Sequence, residues 1–112
     1  MTAEEVAYNL WAPTVHVLFL DLIRDQQLVT GKYRGFVPGV VPRAASAPGD
    51  LSWTAAYPLI ARWLLLYFGE AATPAVRSHW PSLKAWADSV AAVARATRKD
   101  GLPDFYVWGD CA

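Results

Sequence analysis

Residues 53–69 read WTAAYPLIARWLLLYFG, and this stretch decides the fold. Ala56, Leu59, Ile60, Trp63, Leu64, Tyr67 and Phe68 recur at helical spacing. That spacing predicts a helix with a broad apolar face over residues 53–68. Pro58 falls in the first turns, where a missing backbone N–H costs least. Gly69 is a natural stop.

Working outward, Thr73-Pro74 opens a second helical segment, with a cap followed by proline at the first helical position. A short piece reaches Trp80, and Pro81 then restarts or kinks it. Leu83, Trp86, Ala87, Val90, Val93 and Ala94 form the next stripe. Arg95, Arg98 and Lys99 crowd its end, where cations suit the helix dipole, and Asp100-Gly101 stops it. The turn over residues 69–73 is short, so these two helices should run antiparallel. Upstream, residues 13–27 place Val15, Leu18, Phe19, Leu22 and Ile23 on one stripe behind Trp11. Between them, residues 28–52 carry four glycines and three prolines, too many breakers for a helix. Tyr33, Phe36, Val37, Val40 and Val41 argue that this connection packs down. The fold class is therefore all-α, built from helical hairpins, with no convincing strand ladder and one domain over residues 1–112. Three or four helices would leave much apolar surface poorly covered, which hints at a part of something larger.

Composition narrows the function. The chain has 112 residues, 54% of them hydrophobic and 18% charged, the opposite balance to a disordered chain. Ten basic residues cancel ten acidic ones, so no general pull on nucleic acid or an anionic membrane is expected. The stretch over residues 59–68 is interrupted by Arg62 and is too short to span a bilayer. The acidic start, Met-Thr-Ala-Glu-Glu, is unlike a secretory signal. One cysteine, Cys111, excludes an internal disulfide framework. His16 and His79 lack a second ligand at metal spacing, so no metal or cofactor is expected. No nucleophile elbow, phosphate loop or dinucleotide fingerprint is present.

Six tryptophans exceed the one or two expected at ordinary composition. Trp63 and Trp86 lie within apolar stripes and read as core. Trp80 should pack at the Pro81 kink. Trp53 and Trp108 sit at loop edges, where an indole face can stack on the weakly apolar face of a sugar. Asp50 and Asp110 each lie close to a glycine and a tryptophan; the other carboxylates are scattered and read as solvated.

Five blocks in order carry a resemblance: AEEVAYNLWAPTVHVLFLDLIRDQQ (3–27), GFVPGVVP (35–42), APGDLSWTAAYPLIARWLLLYFGE (47–70), HWPSLKAWADSV (79–90) and DGLPDFYVWGD (100–110). Together they resemble the catalytic domain of α-L-rhamnosidases, family 78 glycoside hydrolases of the six-hairpin superfamily. The resemblance implies part of an (α/α)6 toroid and hydrolysis of terminal α-L-rhamnose with inversion. An acid and a base then stand roughly 6.5–9.5 Å apart. It implies that the general acid falls before Met1 and the base after Ala112, so no catalytic residue is expected in this chain and the isolated chain should be inactive. Trp53 matches the family's loop tryptophan bordering the sugar, and Gly109-Asp110 matches a Gly-Asp pair of another pocket loop, with Trp108 just ahead. Two positions depart from the pattern: Ala55 stands where aspartate is usual and Cys111 where tryptophan is usual. The implied substrate-binding residues are Trp53, Trp108 and Asp110, forming one wall of a sugar pocket. The implied partners are a rhamnoside and the remainder of the toroid. A six-hairpin glycosidase acting on fucose or arabinose would share these features. The alternative from a different class is a non-catalytic helical module that self-associates or binds a protein through its apolar faces.

Overall fold

A computed structural model describes Glu5 and residues 11–39, 51–99 and 102–103. Among the described residues beyond Glu5, four α-helices dominate: α1 (Pro13–Asp25), the short α2 (Leu51–Thr54), α3 (Ala56–Phe68) and α4 (Thr73–Ala96). A 3-10 turn, Gly69–Ala72, joins α3 to α4. The all-helical reading holds with one exception. Strands β1 (Arg98–Lys99) and β2 (Leu102–Pro103) pair antiparallel, Arg98 opposite Pro103 and Lys99 opposite Leu102. Asp100-Gly101, read as a helix stop, lies in sequence between them, and an Asp-Gly pair also favours a tight hairpin. Helix α4 ends earlier, at Ala96. There the Thr97 N–H and hydroxyl both donate to the Val93 carbonyl, at 2.9 and 2.8 Å.

The hairpin of α3 and α4 is the frame. Gly69 ends α3 with φ +54°, a backbone state glycine adopts at little cost. Pro74 sits in the first turn of α4. Thr73 is itself helical, and its hydroxyl bonds back to the Gly69 carbonyl at 3.3 Å rather than capping the helix. Pro81 lies inside an unbroken α4 and does not restart it. Tyr57, near the start of α3, reaches Ser82, well along α4, as an antiparallel hairpin requires.

The core gathers Leu20 and Ile23 from α1, Val37 from the loop, and Tyr57, Ile60, Ala61, Leu64 and Phe68 from α3, with Ala72 and Leu83. Each large apolar side chain so buried contributes roughly 1.5–3 kcal/mol. Trp63 and Trp86 pack against this cluster partly buried, close to the expectation. Two expectations fail. Trp80 is 63% exposed and does not pack at the proline. Helix α1 turns His16, Leu20 and Ile23 inward, leaving Val15 and Leu18 exposed. The reason is that α1 is apolar on most of its circumference. Periodicity alone cannot choose between two overlapping stripes, and contact with α3 chose the one carrying His16, whose ring packs on Phe68.

The loop after α1 closes on itself. Leu28 N–H donates to the Phe36 carbonyl at 2.9 Å, and Gly35 N–H donates to the Leu28 carbonyl at 2.7 Å. Phe36 and Val37 are buried, so the described part of the connection packs down; Val40 and Val41 lie outside the described residues. Gly35, at φ +94°, lies against α4 so closely that a Cβ there would meet Ser89 Oγ and the Ala85 carbonyl.

Candidate functional site

Two features hold the functional interest, and they share Tyr57. The first is a small cleft of about 60 Å³ beside the start of α3. Phe19 and Ile23 of α1, Val37, Pro38 and Gly39 of the loop, and Trp53 line it, with Tyr57 below. Trp53 is carried by α2 and is 50% exposed. Gly39 backs closely onto it; a Cβ at Gly39 would stand 3.2 Å from the Trp53 Cβ. Small-molecule sites occupy roughly 300–1,000 Å³. The cleft is thus a wall with a shallow notch, not an enclosed pocket.

Of the residues expected to bind sugar, Trp53 stands at this cleft. Trp108 and Asp110 lie outside the described residues, as do Gly109 and Cys111. Ala55, where a carboxylate would be usual for the resembled family, offers its carbonyl to the Leu59 N–H at 3.2 Å.

The second feature is a buried chain of polar groups that the sequence reading missed. His79 of α4 is 1% exposed, and its Nε2 lies 3.1 Å from Asp21 Oδ1 on α1. Its Nδ1 lies 3.0 Å from the Tyr57 hydroxyl. Tyr57 donates to Ser82 Oγ at 2.9 Å, and Ser82 donates to Gln27 Oε1 at 2.6 Å. Gln27 Nε2 then donates to the carbonyls of Gly35, at 2.7 Å, and Ser82, at 2.9 Å. Arg24 pairs with Asp21 at 2.8 Å on the outer side. Such a chain ties α1, the loop, α3 and α4 together, with a polar partner within reach of each member.

The electrostatics follow from position. Burial pushes the His79 pKa below its ordinary value, Arg24 adds to this, and Asp21 pulls the other way. Burial raises the Tyr57 pKa, against its bond to Ser82. The one available signal was the placement of His79 and Ser82, three apart, on the α4 face that also carries Leu83 and Trp86. Among the described residues no group of three or more His, Cys, Asp or Glu could hold a metal ion. No described helix is long and apolar enough to cross a membrane.

No family model, no curated protein and no solved structure matches this chain.

Proposed function

We propose that this chain forms one wall of the sugar-binding pocket of an α-L-rhamnosidase-like glycoside hydrolase, with its helical hairpins belonging to an (α/α)6 toroid. The observation that carries the reading is the half-exposed Trp53 indole at the rim of the cleft. An indole held this way presents an apolar face and a polar edge, which suits a sugar ring. The shallowness of the cleft fits a single wall, with the rest of the pocket supplied from elsewhere. Exposed Val15, Leu18, Leu65 and Leu66 on the outer sides of α1 and α3 fit helices that neighbouring hairpins would cover. The general acid and base are assigned to no residue of this chain.

The test is a titration of the protein with L-rhamnose, followed at the Trp53 indole N–H by NMR. Weak saturable binding, selective over D-glucose and lost in Trp53→Ala, supports the reading. Equal response to both sugars, or none, refutes it. No hydrolysis of an aryl α-L-rhamnoside by this chain is expected.

A second reading is a helical module that acts by association. Val15 and Leu18 on α1 are 54% and 59% exposed, and Trp11, just ahead of the helix, is 78% exposed. Sedimentation across concentration tests self-association: a defined dimer that Leu18→Glu dissociates supports it, and a monomer at all concentrations leaves only binding to a different protein.

A further inference from the structure

Counting hydrogens along the buried chain shows that its contacts cannot all be made at once unless His79 carries two protons. Gln27 Nε2 faces two carbonyl oxygens, so the amide orientation is fixed and Oε1 must accept. Ser82 therefore gives its only hydrogen to Gln27. Tyr57 then gives its only hydrogen to Ser82. The Tyr57 oxygen can only accept from His79, so Nδ1 carries a hydrogen. Asp21, paired with Arg24, is a carboxylate, and only an N–H at Nε2 suits a contact with it.

With one proton fewer, a contact must be lost. If the remaining hydrogen sits on Nε2, Tyr57 turns its hydrogen to Nδ1, and Ser82 then divides its one hydrogen between Tyr57 and Gln27, so the bond to Gln27 is made only part of the time. The other tautomer sets a bare Nε2 against the Asp21 carboxylate, which is the poorer arrangement. The break therefore falls at Ser82.

We propose that His79 is a proton-operated latch: its second proton closes the hydrogen-bond chain through Tyr57 and Ser82 onto Gln27, and loss of that proton loosens Gln27 and the loop over residues 28–36. The loop is where the consequence appears because Gln27 pins it. Its amide holds the Gly35 carbonyl, and residues 37–39, which line the Trp53 cleft, follow directly. Ser89 Oγ adds a tether from α4 to the Arg34 carbonyl.

The charged and titratable groups acting on His79 are Asp21, Arg24 and Asp25 from α1 and Tyr57 from α3. Burial lowers the proton affinity of His79 in the folded protein as a whole. Within the folded protein, the closed chain binds the proton more tightly than the loosened one. Proton affinity thus rises from loosened to closed to unfolded, and acid closes the latch even as it lowers global stability. The latch stands independently of any sugar binding.

The experiment is a pH titration of the ¹⁵N-labelled protein from about pH 8 to about pH 5, the range in which histidines ordinarily titrate. Long-range histidine spectra count the hydrogens on each His79 nitrogen. Side-chain amide signals report Gln27, and hydrogen exchange, corrected for its intrinsic pH dependence, reports the Gly35 N–H. As His79 gains its second proton, the Gln27 signals should move with the same midpoint. Gly35 protection should rise about fivefold, the equilibrium change of one ordinary hydrogen bond. In Ser82→Ala, His79 should still titrate while Gln27 and Gly35 no longer follow. If that variant does not fold, the wild-type readings decide. Titration of His79 with no response at Gln27 overturns the proposal, and so does an unchanged hydrogen count on His79 across the range.

Discussion

The Tyr57 hydroxyl lies 3.0 Å from His79 Nδ1, joining residues 22 apart in sequence across the α3–α4 hairpin, and both side chains are at most 1% exposed. Their rings meet edge to face, with centroids 6.1 Å apart. A polar contact buried this deeply holds the hairpin in one register. Sliding either helix would strand the phenol, the imidazole and Ser82 without partners.

Tyr57→Phe keeps the ring and removes the hydroxyl. It leaves His79 Nδ1 and Ser82 Oγ short of a buried partner. The expected loss is about 1–3 kcal/mol of folding stability. Urea unfolding should show a lower midpoint with an unchanged slope.

Folding stability should depend on His79 protonation with a definite sign. The folded pKa lies below the unfolded value of about 6.5 because burial opposes the charge. The unfolded chain then binds the proton more readily, so the contribution is full above about pH 6.5 and is lost as pH falls through the folded value. Measuring unfolding free energy at intervals from pH 8 to pH 5 should show a decline that His79→Gln flattens. A rise on acidification through that window would contradict it.

The two positive-φ loop glycines should respond differently. Gly31→Ala meets no atom within 4 Å, so only the φ of +81° resists it, at about 1–2 kcal/mol. Gly35→Ala adds a collision of its Cβ with Ser89 Oγ and the Ala85 carbonyl to a φ of +94°. The cost there should exceed about 3 kcal/mol, combining backbone strain with overpacking. Parallel denaturation of the two variants compares them directly.

Leu64 and Leu66 are chemically identical and two residues apart on α3, one 0% and the other 63% exposed. Leu64→Ala should cost about 2–5 kcal/mol through the cavity it leaves. Leu66→Ala should stay within about 0.5 kcal/mol. Thermal melts of both variants test whether this hairpin face is the core.

Much of the fold was readable in the residues. Periodicity located α1, α3 and α4 because each carries enough apolar residues at helical spacing to bury a face. Gly69 and Pro74 marked the turn because their backbone preferences are local. Trp53 was legible as a residue at a loop edge because turn-forming residues precede it. The inward face of α1, the single helix running through Pro81 and the exposure of Trp80 were not. Each depends on what packs opposite, and an apolar stripe does not name its neighbour.

The sequence by itself determined a helical chain, its hairpin turn and a loop dense in glycine and proline, since these follow from propensity and spacing within a few residues. Only the tertiary structure decided that Asp21, Gln27, Tyr57, His79 and Ser82 form one connected chain of hydrogen bonds. Those five come from three helices and a loop edge. A hydrogen bond needs its partners within about 3 Å, a condition that packing sets and sequence separation does not reveal.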